Sequence, residues 1–310
     1  VTDPETHVSV RERLRAHILV AGSEKDAKPE TKEVAAIAEK GGDVPIGALG
    51  SGSDYSAFLE HLGIASLNLG FGDEDDDAGI YHSRYDSFDH YIRFGDPDFK
   101  YGIALAQVAG HIVLRTADAK VVPMRYSDFS DTFARYVDQL HKLVDKTRKD
   151  TLQQHKLLDM HAYALDSDPT RPVAPPQRDS DVPNIDLAPL DKAAKRLKQS
   201  AQAYEKAYAA RAAAGFGKLS ADTLRDANAR MARMEQALTD PDGLPGREWF
   251  KHMIYAPGML TGYGVKTVPG VREALEARRW DEANRYSTIT AKVVDGYCDQ
   301  LDRLTAMLRK

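Results

Sequence analysis

From Asp281 to the C-terminus, Tyr286, Ile289, Val293, Tyr297, Leu301, Leu304 and Leu308 recur three or four residues apart. A stripe of that period has to be buried along one side of a helix, so the stretch predicts a long helix that needs partners. Three more stretches supply them. Phe129, Phe133, Tyr136, Val137, Leu140, Leu143 and Val144 mark one helix, the Ala- and Lys-rich run from Leu190 to Ala214 a second, and Ser220 to Leu238 a third. Four helices around one core predict an antiparallel helical bundle over residues 124–310. Inside that region, residues 166–189 hold six prolines, at 169, 172, 175, 176, 183 and 189, which predicts a loop or extended arm.

Before Pro123 the pattern differs. The first twenty residues, with Pro4 near the start and Val10, Leu14, Ile18 and Leu19 at helical spacing, predict an amphipathic helix, and the charged stretch from Gly22 to Gly47 a surface connection with a short helix through Val34 and Ile37. Asp96 stands as the cap of a further helix with Pro97 at its first position; the apolar run Ile103 to Leu114 is dense enough to be packed on more than one side. The change at Pro123 divides the chain into residues 1–123 and 124–310.

Composition narrows the partners. The 310 residues are 42% hydrophobic and 29% charged, the balance of a globular protein long enough for two domains. A net charge of −5 argues against a nucleic-acid partner, which needs a dense basic face. No apolar run approaches the roughly 20 residues that cross a bilayer. Cys298 is the single cysteine, so neither an internal disulfide nor a Cys-based metal site is available.

The chemistry concentrates in two motifs about thirty residues apart, Leu49-Gly50-Ser51-Gly52-Ser53-Asp54-Tyr55 and Gly79-Ile80-Tyr81-His82-Ser83-Arg84-Tyr85-Asp86. Between them Ser53 is placed as an N-cap, Tyr55, Phe58, Leu59 and Leu62 follow at helical spacing, and Gly63 sits where a left-handed C-terminal residue is wanted. Leu67, Leu69 and Phe71 then alternate as in a buried strand, which places Tyr81 and His82 just past a strand end, where open α/β sheets carry their chemistry.

These motifs resemble the co-catalytic zinc peptidases related to glutamate carboxypeptidase II and the transferrin receptor. The likeness continues in the same order through Asp96-Pro97-Asp98-Phe99-Lys100-Tyr101, Val122-Pro123, Gly243-Leu244-Pro245-Gly246-Arg247 and Ile254-Tyr255-Ala256-Pro257. It implies an α/β remnant of a co-catalytic zinc exopeptidase domain over 1–123, followed by a mainly α-helical dimerisation domain over 124–310. It further implies a hydrolase with two zinc ions, a peptide substrate and a homodimer formed through the C-terminal domain. His82 matches the last of five metal ligands; the other four and the general-base glutamate would lie upstream, as would any export signal or anchor, so this chain alone is expected to be inactive and to retain no zinc. Tyr81 matches the tyrosine whose hydroxyl stabilises the tetrahedral intermediate. Ser51, Gly52, Ser53, Asn68 and Tyr263 fall at substrate-binding positions, Tyr263 on a loop that reaches from the C-terminal domain into the cleft.

Plainer readings stand beside these. Tyr81 also suits a ring that packs a loop, Ser51-Gly52-Ser53 a helix entry, and the glycines around Tyr263 an ordinary surface loop. His7, His17, His61, His90, His141, His155, His161 and His252 read as surface or satisfied histidines, and His111 as a hydrogen-bonded core residue. The contiguous acidic run Asp73-Glu74-Asp75-Asp76-Asp77 lacks the alternation and glycine bend of a calcium loop, and reads as solvated. Departures from the family matter too. Gly262 stands where glutamate-specific members present lysine, Asn68 and Gly70 where they present arginines, and Ser53 where they present asparagine. With those cations gone, a neutral or apolar terminal residue is expected to be preferred over glutamate, unless Lys266 takes their place. A receptor-like protein or a dimerisation module on the same fold, without catalysis, is the alternative.

Overall fold

The computed structural model describes residues 1–72, 80–171 and 173–310. The acidic run 73–77, Gly79 and Pro172 lie outside them. The described residues are mainly helical and form two compact units, 1–47 with 67–119, and 48–66 with 120–310. Residues 48–66 group with the second unit, so the units do not follow a single break at Pro123.

In the first unit, α1 (Val10–Ser23) begins at a capping box: the Ser9 hydroxyl accepts the Glu12 N–H, and the Glu12 carboxylate accepts the Ser9 N–H. The residues before it fold as a turn around buried Asp3, which receives Thr6 and Arg13. Helix α2 (Pro29–Glu39) packs on α1, and Gly22 lets them approach, since a Cβ there would stand 2.2 Å from that of Ala35. After α3 (Phe88–His90) comes α4 (Lys100–Asp118). It starts three residues later than the Pro97 signal suggests, yet Asp96 still caps it, accepting the N–H of Tyr101 (3.2 Å) and Gly102 (2.8 Å). The double-sided packing read for this helix is not met, because Ile103, Val113 and Leu114 are more than half exposed.

The α/β layer read for 1–123 is likewise not seen among the described residues. No strand forms over Leu67–Phe71, and its three apolar side chains are exposed. Strand propensity is expressed only against a ladder partner, and no other described segment of the unit is a strand.

The second unit holds α5 (Tyr126–Asp159), α6 (Ala162–Asp166), α7 (Ala188–Ala214), α8 (Ala221–Met231), α9 (Pro269–Glu276) and α10 (Trp280–Leu308). Phe133 and Leu140 of α5, Leu190, Leu197 and Tyr204 of α7, and Leu301 and Leu304 of α10 are fully buried in one core, as the stripes require. Arm residues 173–187 contain no helix or strand, and side chains hold them: the Gln154 amide donates to the Gln177 carbonyl and accepts the Asp179 N–H, while Arg278 reaches Asp179 and the Ser180 carbonyl. Tyr204, Tyr208, Phe216, Tyr286 and Tyr297 read from the sequence as more aromatic surface than one core needs, some of it to face a partner. Tyr208 and Phe216 are instead partly buried against the core, and the other three are fully committed to it. Tyr204 lies edge-on to Tyr126 at 4.8 Å and Tyr297 against Phe129 at 5.3 Å. A two-stranded antiparallel sheet, β1 (Tyr255–Pro257) and β2 (Val265–Thr267), pairs Ala256 with Lys266 and projects the loop 258–264.

Candidate functional site

The Gly50–Ser53 loop and the Tyr263 loop, some 210 residues apart in sequence, meet in the second unit. Ser51 donates its N–H to the Tyr263 carbonyl at 3.1 Å. Gly50 lies so close that a Cβ would stand 2.0 Å from that carbonyl oxygen, and Gly52, at φ +98°, lies under the Tyr263 ring. The Tyr55 hydroxyl donates to the Ser51 carbonyl and closes the loop from the other side. Tyr263 keeps 57% of its surface exposed, so its phenol is both positioned and reachable. Ser53 is exposed; its carbonyl accepts the Ser56 N–H, and its hydroxyl makes no capping bond to the turn that follows. Tyr55 and Ser56 are helical and run into the π-helical turn Ala57–His61, so the short helix read between Ser53 and Gly63 forms, and Gly63 closes it at φ +63°.

The Tyr263 loop is fastened at its base. Gly258 and Gly264 pair across it, the Thr261 hydroxyl donates to the Gly264 carbonyl, and the Met259 N–H donates to Glu273 at 2.7 Å. Arg247 links the same Glu273 to the Pro257 carbonyl. The Lys266 ammonium is held 2.8 Å from both carboxylate oxygens of Glu276.

Tyr81, His82 and Asn68 belong to the first unit. Tyr81 and His82 stack at 3.8 Å in an exposed turn where His82 takes φ +61°, and the His82 N–H faces the Asp86 carboxylate at 3.4 Å. Asn68 is exposed on the chain segment after Leu67. Among the described residues no three His, Cys, Asp or Glu side chains gather into a metal site.

The structure brings forward two further groups, of which sequence reasoning anticipates the first and misses the second. His252 is fully buried: its Nδ1 accepts the N–H groups of Ile254 and Tyr255, so Nε2 carries the proton and donates to Glu235 at 3.0 Å. This is the satisfied histidine of the plainer reading. Glu60 is buried with neither carboxylate oxygen hydrogen-bonded, and burial, opposed by the Arg247 charge, pushes its carboxyl up to about 8. Nothing in its neighbours Leu59 and His61 signals this.

Comparison with known proteins bears out the resemblance carried by the motifs. Residues 185–302 match the transferrin receptor-like dimerisation domain, so the helical unit carries a domain of that kind. The chain is 30% identical over 279 residues to a probable glutamate carboxypeptidase, LAMP1, of Arabidopsis thaliana, covering 89% of this chain and 34% of that protein. It is 29% identical over 248 residues to a probable glutamate carboxypeptidase of Arthroderma benhamiae (79% of this chain, 29% of that protein). To the aminopeptidase NAALADL1 of Rattus norvegicus it is 27% identical over 275 residues (84% and 32%). The chain thus spans about a third of the length of the curated relatives it matches. No helix among the described residues is long and apolar enough to cross a membrane.

Proposed function

We propose that this chain is part of a zinc-dependent exopeptidase, with residues 1–123 belonging to its α/β catalytic domain and residues 124–310 forming the helical domain through which two copies associate. The observation that carries the reading is the docking of Ser51 and Gly52 onto Tyr263, because it brings together two distant stretches that the resemblance assigns to substrate binding and leaves the phenol open.

In this reading His82 contributes one imidazole to a co-catalytic pair whose other donors are not among the described residues. Zinc, when bound, supplies a Lewis acid and an activated water. The Tyr81 phenol, stacked beside His82, donates a hydrogen bond to the oxyanion as charge develops. In the second unit Ser51 and Ser53 offer polar contacts to the substrate, and Tyr263, whose ring lies over Gly52, receives its terminal carboxylate. Stoichiometric zinc on the purified 310-residue chain alone would contradict the single-donor role of His82.

The test uses the intact protein. Tyr81→Phe should lower kcat for peptide hydrolysis about 10²–10³-fold with zinc content unchanged, and His82→Ala should lower zinc content and abolish turnover. Unchanged kinetics in both variants would sink the reading. The alternative, a non-catalytic receptor-like or dimerisation module, draws on the domain match falling wholly within the helical unit. An intact protein that binds no zinc and cleaves no peptide, yet dimerises, would favour it.

A further inference from the structure

Glu60 lies on the turn Ala57–His61, directly after the Gly50–Ser53 loop, and none of its surface is exposed. Its main-chain carbonyl accepts the N–H groups of both Lys251 (2.7 Å) and His252 (3.1 Å). Beside it, His61 stacks on Trp249 at 4.9 Å with Nδ1 2.7 Å from the Trp249 carbonyl, and Gly63 seats against the Gln236 main chain, where a Cβ would stand 2.7 Å from Cα. The turn is clasped to residues 236–252 at three points, and the loop that docks on Tyr263 hangs from it.

The carboxyl inside this clasp is an anomaly. Neither oxygen has a hydrogen-bond partner, and Nε of Arg247, whose charge reaches Glu60, is itself buried without an acceptor. Tyr55 faces Glu60 from the preceding segment. Arg247 acts on it through its charge but is engaged with Glu273 and the Pro257 carbonyl, and His252 turns its ring to Glu235. A charged carboxylate without donors is poorly tolerated in such a place, whereas the neutral acid is accommodated.

We propose that Glu60 in its neutral form is a positioning residue that holds the Ser51–Ser53 loop against Tyr263, and that loss of its proton loosens the clasp. Only the consequence for substrate rests on the peptidase reading. The sign follows from linkage. Burial raises the carboxyl from its ordinary 4.5 to about 8 in the clasped state, so the clasped state holds a proton that the open state releases. Clasp stability is complete below about 4.5, falls as pH rises toward about 8, and is level beyond it.

Amide hydrogen exchange on the full 310-residue chain between pH 5 and 8 tests this without any turnover. The Lys251 and His252 amides, which donate to Glu60, should speed up by as much as about tenfold more per pH unit than the Met253 amide, which donates to Leu238. In Glu60→Gln, which keeps shape and removes titration, all three should run parallel, with helical circular dichroism confirming that the variant is folded. Parallel behaviour in the wild-type chain would overturn the proposal, and that result does not depend on any variant folding. An excess slope that survives in Glu60→Gln would overturn it equally. An intact protein without peptidase activity would remove the consequence for substrate and leave the exchange result standing.

Discussion

Gly52 and Tyr263 are separated by a space that only a hydrogen atom can fill: a Cβ on Gly52 would lie 2.7 Å from Cδ1 of the tyrosine ring. The same residue sits at φ +98°, where side chains are strained whatever the room around them. Gly52→Ala should therefore displace the ring, or the loop, and lower the unfolding free energy by about 1–3 kcal/mol. Chemical denaturation checks the magnitude. Wild-type stability in this variant would mean that the loop moves away freely and that the contact positions nothing.

The Arg247–Glu273 pair is nearly buried and fastens the loop base through Pro257 and Met259. Removing one partner strands the other charge, so Arg247→Ala should cost about 3–5 kcal/mol, far above the 0–1 kcal/mol of an exposed pair such as Arg225–Asp222. Limited proteolysis should then cut between Met259 and Gly264 before it cuts elsewhere. An effect no larger than that of Arg225→Ala would contradict the fastening role.

Tyr126 offers a test in the opposite direction. Its hydroxyl is buried without a partner while its ring packs edge-on against Tyr204 and Tyr297. Tyr126→Phe keeps the ring contacts and removes an unpaired polar group, so stability should hold or rise by up to about 1 kcal/mol. A loss above 1 kcal/mol in thermal or denaturant unfolding would show that the hydroxyl has a partner, such as a bound water.

The helical unit was legible because burial there repeats with helical period. Phe133, Val137, Leu140 and Val144, and later Tyr286, Tyr297, Leu301, Leu304 and Leu308, are buried where the spacing puts them. The limits of the pattern are visible in Tyr204 and Tyr297. Periodicity says that a face is covered, not whether the cover is the chain itself or a second copy. The alternation of Leu67, Leu69 and Phe71 failed for a related reason, since a strand is a statement about a neighbour that no local pattern contains. Of the site, Gly52 is placed at a substrate-binding position by resemblance alone; that the Tyr263 ring fills the space over it, that Gly50 lies against the Tyr263 carbonyl, and that Glu60 is buried without a partner are visible only in three-dimensional packing.

The last expectation concerns which terminal residue the intact enzyme prefers, and it rests on the peptidase reading. Gly262 and Gly70 carry no charge, and Asn68 is neutral. Arg247 at the loop base is engaged with Glu273 and the Pro257 carbonyl, and Lys266, three residues beyond Tyr263, is already paired through both oxygens of Glu276. A substrate carboxylate would have to displace that pair, which gains nothing over leaving the lysine where it is. Peptides ending in a neutral or apolar residue should therefore exceed their glutamate counterparts in kcat/KM. Glu276→Gln frees the ammonium and should move the ratio toward glutamate, by roughly two- to tenfold for one exposed charge pair. Paired peptides differing only in that residue give both numbers. A tenfold or greater preference for glutamate in the wild-type enzyme would show that a cation outside these positions reads the substrate, and the assignment of specificity to residues 68, 70 and 262 would fall.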